Sequence, residues 1–332
     1  MYRIAVLLTC FALVGCGGGG SNQDTGSAPS SNTSNTSNTS DTDSINITNT
    51  IFTNRSNDCA DFNDDYFANV RDLTRELDFQ GYLNAESSAQ YCYLESDNIP
   101  NHDFNDSTAN FRTDVIEIER TFTIKRLPEK ASQNTEINGR SWDALMLNGV
   151  VVDVKSGGCY YPSESRADSE GNTEAGCPVN ADWRLVPLEY STKFGVDRHN
   201  AHVQPDGTYH YHGNPNAMFD ESPSGDGSPV IGFAADGFPI YGSFVLNSTT
   251  GEYKKVRSGY TLKEGSRGTK SSSNPGGDYS GVYEEDWEWT DSGDLDECNG
   301  MTYKEAYGYY ITDTYPYVLN CFKGTPDSSF TK

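Results

Sequence analysis

The stretch HNAHVQPDGTYHYHG, residues 199–213, constrains this chain more than any other. Pro205 and Asp206 suit a type I turn, and Gly207 suits the left-handed residue that follows it, the chemistry of a three-residue hairpin loop. Such a loop pairs Gln204 with Thr208. The ladder then sets Val203 against Tyr209, His202 against His210 and Asn200 against His212. Residues two apart on a strand share a face, so His202, His210, His212 and Asn200 project together, while Ala201, Val203, Tyr209 and Tyr211 turn to the core. Opposed Cβ atoms lie about 5 Å apart and diagonal ones about 7–8 Å. A slip of one residue separates His202 from the others, so the cluster depends on the turn.

Four of the five histidines fall between residues 199 and 212. Imidazole suits zinc, copper, nickel or iron, and three histidines with an open position is the arrangement of catalytic zinc sites. The expected centre is copper or zinc on His202, His210 and His212, with His199 either a fourth ligand or a turn residue outside the ladder. Two other readings compete: structural histidines held by hydrogen bonds, or donors to an organic anion. A metal-bound water with Asp197 or Asp236 as base makes the site a hydrolase or lyase, although Asp236 also explains itself as half of an Asp-Gly turn. The chain has no G-x-S-x-G, H-E-x-x-H, Walker A or G-x-G-x-x-G motif.

Outside this stretch the apolar pattern mostly has a period of two. Ile116, Ile118, Phe122 and Ile124 alternate with polar residues, and Asn148-Gly149 and Asp236-Gly237 each divide two apolar runs as hairpin turns do. With 21 Tyr, 15 Phe and 32 Gly, the composition suits short strands and many turns. The expected fold is mainly β, an antiparallel domain with long loops. One helix is expected over residues 62–79, from Phe67, Val70, Leu73 and Leu77, capped by Asp61 or Asn63. Trp287 and Trp289 share one strand face; if both rings are exposed, the chain is a glycan-binding or adhesion module.

The first 15 residues read as a signal peptide, with Arg3 before an apolar run at 4–14. Leu13-Val14-Gly15-Cys16 resembles a lipobox, which makes Cys16 the lipidated residue and the membrane a partner through that anchor. Gly17 rather than Asp after the cysteine points to the outer membrane. Residues 16–56, rich in Ser, Thr and Asn, are expected to be a disordered tether, 57–90 a helical lead-in and 91–328 the main domain. A net charge of −24 argues against nucleic acid and against direct binding to an anionic membrane surface. Six cysteines remain for an exported chain, none in a C-x-x-C pair. Of the 15 possible connectivities, neighbours are favoured: Cys59–Cys92, Cys159–Cys177 and Cys298–Cys321. Each closure is worth on the order of 3 kcal/mol.

These motifs carry a resemblance. SDNIPNHDF (96–104), LNGVVVD (147–153), the histidine stretch, IGFAADGFPIYG (231–242), LDECNG (295–300) and ITDTYPYVLNCFKGTP (311–326) follow in the order found in the YHYH family of bacterial exported proteins. The resemblance implies one domain over residues 91–328 and adds His102 to the candidate ligands, but implies no activity. Residues 296–310 look like a weak second copy of 197–212, with Asp296 at Asp197, Met301 at His202 and Gly308 at His210.

Overall fold

The computed structural model describes residues 44–178 and 180–332. The expected signal peptide and Cys16 lie outside the described residues. Two sheets dominate. The first is formed by β1 (Ile45–Asn46), β2 (Asp64–Asp72), β3 (Leu77–Ser87), β4 (Tyr91–Ser96) and β5 (Arg120–Lys125), side by side in chain order. β1 runs parallel to β2; the other pairs are antiparallel.

This corrects two expectations. Residues 62–79 form no helix: β2 and β3 pair over nine positions from Asp64↔Ala85 to Asp72↔Leu77. Inward positions of β2 alternate as Ala68, Val70 and Asp72, a period of two hidden under the larger outward side chains of Phe67, Leu73 and Leu77. Asp72 is tolerated inside because Arg75 Nε donates to it at 2.7 Å and Asn105 Nδ2 at 2.8 Å. The tether also ends earlier than expected, since β1 is paired and Ile47 is buried.

The second sheet has eight strands. In chain order they are β6 (Ala144–Met146), β7 (Val151–Val152), β8 (Ala201–Val203), β9 (Tyr209–Tyr211), β10 (Val230–Ala234), β11 (Pro239–Tyr241), β12 (Gly300–Tyr303) and β13 (Ala306–Tyr310). Their spatial order is β8-β9-β7-β6-β10-β11-β13-β12. That order reads the same from the centre outwards in either direction. Each half has an inner hairpin (β6–β7 or β10–β11) and an outer one (β8–β9 or β12–β13), joined by a parallel pairing of β9 with β7 or β13 with β11. The halves meet where β6 and β10 pair antiparallel, with Leu145 opposite Phe233. Asn148-Gly149 and Asp236-Gly237 turn the two inner hairpins, as expected, with Gly149 and Gly237 both at φ near +90°. The weak second copy of the histidine hairpin is thus one part of a duplication that covers the whole sheet.

One apolar core spans both sheets. Phe62 meets Phe233 edge to face at 5.7 Å, Phe104 lies 5.4 Å from Tyr209, and Phe122 lies 4.7 Å from Phe330. Ser96 Oγ donates to Gly149 O and Asn98 Nδ2 to Tyr209 O, both at 2.6 Å. The segment after β4 therefore covers the tyrosine face of β9 and leaves the histidine face to other loops. All three expected disulfides are present: Cys59–Cys92, Cys159–Cys177 and Cys298–Cys321. Among the described residues no helix is long and apolar enough to cross a membrane.

Candidate metal centre

The turn forms as its residues dictate. Gln204 N–H donates to Thr208 O and Gly207 N–H to Gln204 O, both at 2.9 Å, with Gly207 at φ +95°. The register follows: Ala201↔Tyr211, His202↔His210 and Val203↔Tyr209. His212 N–H then donates to Asn200 O at 2.9 Å. Asn200 itself leaves the shared face. It is in the left-handed region, φ +56°, and its amide donates to Asn214 O.

His202, His210 and His212 form a triangle with ring centroids 4.6, 4.9 and 4.8 Å apart. One ring nitrogen from each lies within 4.8 Å of the others, so the three can hold one metal ion. Two metal–nitrogen bonds of about 2.1 Å span at most about 4.2 Å, so rotation of each ring by under about 1 Å closes the cluster. His202 Nδ1–H donates to Phe194 O at 2.8 Å and His210 Nδ1–H to Thr208 O at 3.2 Å. Those bonds leave Nε2 of each ring as the lone pair, as backbone carbonyls do behind many metal-bound imidazoles.

Both nitrogens of His212 are buried with no partner at hydrogen-bond geometry, the Asp153 backbone lying only near enough to favour its charged form slightly. A ring so poorly met costs up to about 1–3 kcal/mol in the folded protein. Burial pushes His202 below the usual imidazole pKa, and His210 and His212 well below it, so all three are neutral at pH 7 and free to ligate. The cluster closes one end of a pocket of about 280 Å³ that is also lined by Asp153, Lys155 and Phe194.

Sequence reasoning missed the acid at this pocket. Asp153 is buried; it accepts from Gln204 Nε2 at 3.0 Å and from Lys332 Nζ, and its Oδ1 has no partner. Asp143 is buried beside it, accepting from Val154 N–H at 2.7 Å, and burial followed by the charge of Asp153 holds its carboxyl well above the usual range. An acid closing the apolar run at 147–153 was the available signal.

His102 and His199 belong elsewhere. Their rings stack at 3.6 Å on the tyrosine face. His102 Nδ1–H donates to Asp103 O at 3.0 Å, and its Nε2 accepts from the Tyr211 hydroxyl at 2.6 Å. His199 Nδ1–H donates to Pro215 O at 2.6 Å, and its Nε2 accepts from Arg198 at 3.0 Å. All four nitrogens are engaged, so of its two expected places His199 takes the turn.

Asp197 and Asp236 are also off the site. Asp197 accepts from the Tyr209 hydroxyl at 2.8 Å and from backbone N–H of His199, Ala201 and Asn105, tying the entry of the outer hairpin together. Asp236 accepts from the Tyr309 hydroxyl at 2.6 Å and from Gly324 N–H at 2.9 Å. It occupies in the second half the place of Asn148, whose amide donates to the Tyr211 hydroxyl at 2.9 Å. Both acids brace hairpins.

The second half keeps the backbone and replaces the site. Met301 pairs with Gly308 as His202 pairs with His210, and Tyr310 N–H donates to Asn299 O as His212 does to Asn200. Asp153 is replaced by Tyr241, which stacks on Tyr310 at 5.1 Å beneath the Arg55 guanidinium. A Cβ on Gly308 would lie 2.5 Å from the Tyr241 ring. Aromatic packing fills the space that the histidines face in the first half.

Fold and site together define a mainly β, disulfide-linked protein with a buried three-histidine cluster beside a pocket. The chain belongs to the YHYH protein family, whose model matches residues 121–324. The match takes in both halves of the large sheet, while the segment that carries His102 precedes it. Comparison with curated proteins and with solved structures finds no match.

Proposed function

We propose that this protein is a cell-envelope lipoprotein whose YHYH domain binds a transition metal, copper or zinc, through His202, His210 and His212. The observation that carries the metal reading is His212, a buried neutral imidazole with neither nitrogen satisfied, beside two imidazoles whose Nδ1 atoms are held by carbonyls. The envelope reading rests on the sequence around Cys16, and an outer-membrane position on Gly17. Elemental analysis of protein purified without an affinity tag tests the metal: about one equivalent is expected, lost in His210→Ala. No stoichiometric metal in the parent protein sinks the reading. Labelling with a radioactive or alkynyl fatty acid, lost in Cys16→Ser, tests the anchor.

The pocket supports a second reading, a metal-dependent hydrolase or lyase at the same site. Three protein ligands leave a position open to water or substrate. Asp153, not Asp197 or Asp236, lines the pocket and can move a proton there; Glu174, the other acid in its lining, is paired with Arg112. Turnover of activated ester or phosphate substrates by zinc-loaded protein, abolished by His210→Ala and reduced by Asp153→Asn, is the expected result. The sugar-stacking reading gains no support: Trp287 stacks on Tyr315 at 5.5 Å and its indole N–H donates to Gly281 O, leaving Trp289 as the exposed ring of the pair.

A further inference from the structure

The surface beside the histidines inverts the charge of the molecule. A second pocket, of about 490 Å³, adjoins the histidine pocket, and the two share a wall made of Asp153, Lys155, Ser156, Gly157, Gln204 and Pro205. Arg120, Arg140, Arg184 and Lys332 line the outer lobe, Arg112 and Arg166 the histidine lobe, and Lys155 both. Against these seven cations stand three acids in the lining, Asp153, Glu174 and Asp206, and two just behind it, Glu284 on Lys155 and Glu164 on Arg166. The whole chain has 24 Lys and Arg against 48 Asp and Glu. An excess of cations in a concave, partly enclosed place focuses field far more than the same charges on a flat surface.

Unmet hydrogen-bonding groups collect at the same place. Seven buried polar side-chain atoms lack a partner among the described residues, and five of them belong to residues that line this cleft: Arg120 Nη1, Trp142 Nε1, Asp153 Oδ1 and both nitrogens of His212. Native proteins leave few such groups without a reason. Arg120 and Lys332 both lie over the Trp142 ring, at 5.4 and 4.5 Å, which holds two cationic heads at the floor of the outer lobe. Arg140 has no ion-pair partner among the described residues.

We infer that this cleft binds a small organic anion with at least two negative groups, phosphate or carboxylate, one seated in the outer lobe and the remainder reaching into the histidine lobe. Guanidinium forks match both kinds of oxyanion. The inference names the ligand class of the proposed metal site, and it rests on that reading only for what the inner end of the ligand meets.

Calorimetric titration of the metal-free chain at low salt, with pyrophosphate in one arm and succinate in the other, separates the two anion classes. At least one is expected to bind, with affinity that falls as salt rises. The double variant Arg112→Glu/Arg140→Glu changes one exposed cation in each lobe, and is expected to weaken binding at least tenfold while the near-UV circular dichroism stays as in the parent. Binding of neither anion by folded protein, or equal binding by parent and double variant, overturns the inference and leaves the metal reading standing. Charge-dependent anion binding by a protein that takes up no zinc or copper supports the inference and removes the metal reading instead.

Discussion

His202 lies directly opposite His210 on antiparallel strands, their rings 4.6 Å apart, because the Pro205-Asp206-Gly207 turn allows no other register. At Gly207 the backbone is left-handed, and an added Cβ would meet Ile116 Cγ1 at 2.5 Å. Gly207→Ala is therefore expected to lower stability by about 1–2 kcal/mol and to weaken zinc binding at least tenfold. Urea unfolding and a zinc titration measure the two effects. An unchanged zinc affinity would show that the turn does not set the site.

A ligand that pays a burial cost when empty has a distinctive signature. His212→Leu removes two unsatisfied nitrogens from the interior, so the metal-free protein is expected to be as stable as the parent or more so. The parent gains about 2.7 kcal/mol at a zinc concentration a hundredfold above Kd; the variant gains none. Urea midpoints with and without zinc decide this.

The two braced tyrosines predict a paired effect. Tyr209→Phe and Tyr309→Phe each remove the hydroxyl donor to a buried carboxylate, Asp197 or Asp236, and each is expected to cost about 1–3 kcal/mol. Neither residue faces the histidine triangle, so zinc affinity is expected to be unchanged in both. A large loss of metal with Tyr209→Phe and not with Tyr309→Phe would contradict a purely bracing role.

The buried histidines give stability a pH dependence of their own. Burial lowers His102 from about 6.5 to about 3, and the other four histidines shift in the same direction. The folded state holds the neutral rings, so below pH 6.5 the unfolded chain binds the extra protons. The histidine contribution to stability is then fully present above pH 6.5 and falls below it, by up to about 1.4 kcal/mol per pH unit for each histidine. The buried carboxyls of Asp97, Asp143 and Asp197, held above their usual range, take up protons in the folded state and oppose the fall. Urea midpoints between pH 7.5 and 4.5 test it; His102→Gln is expected to give a shallower slope, and an identical slope would remove His102 from the account.

Local chemistry alone determined the hairpins. Asn148-Gly149, Gln204-Pro205-Asp206-Gly207 and Asp236-Gly237 each carry the residues their turns need, and a turn fixes which side chains share a face within a few residues of it. The histidine triangle, the disulfide pairs and the echo of one hairpin in the other are local matters of this kind. Tertiary packing decided the rest. Residues 64–72 form a strand because nine paired positions with β3 and burial of Ala68 and Val70 on one face outweigh a helical spacing of larger residues that end up facing outwards. His102, His199, Asp197 and Asp236 have the right side chains for a site, but they serve the tyrosine face and the two bracing contacts. The cleft of cations joins residues from 112 to 332, and no spacing along the chain announces it. Which residues form a turn depends on their neighbours in sequence, whereas which charges meet in a cleft depends on how the sheet brings distant loops together.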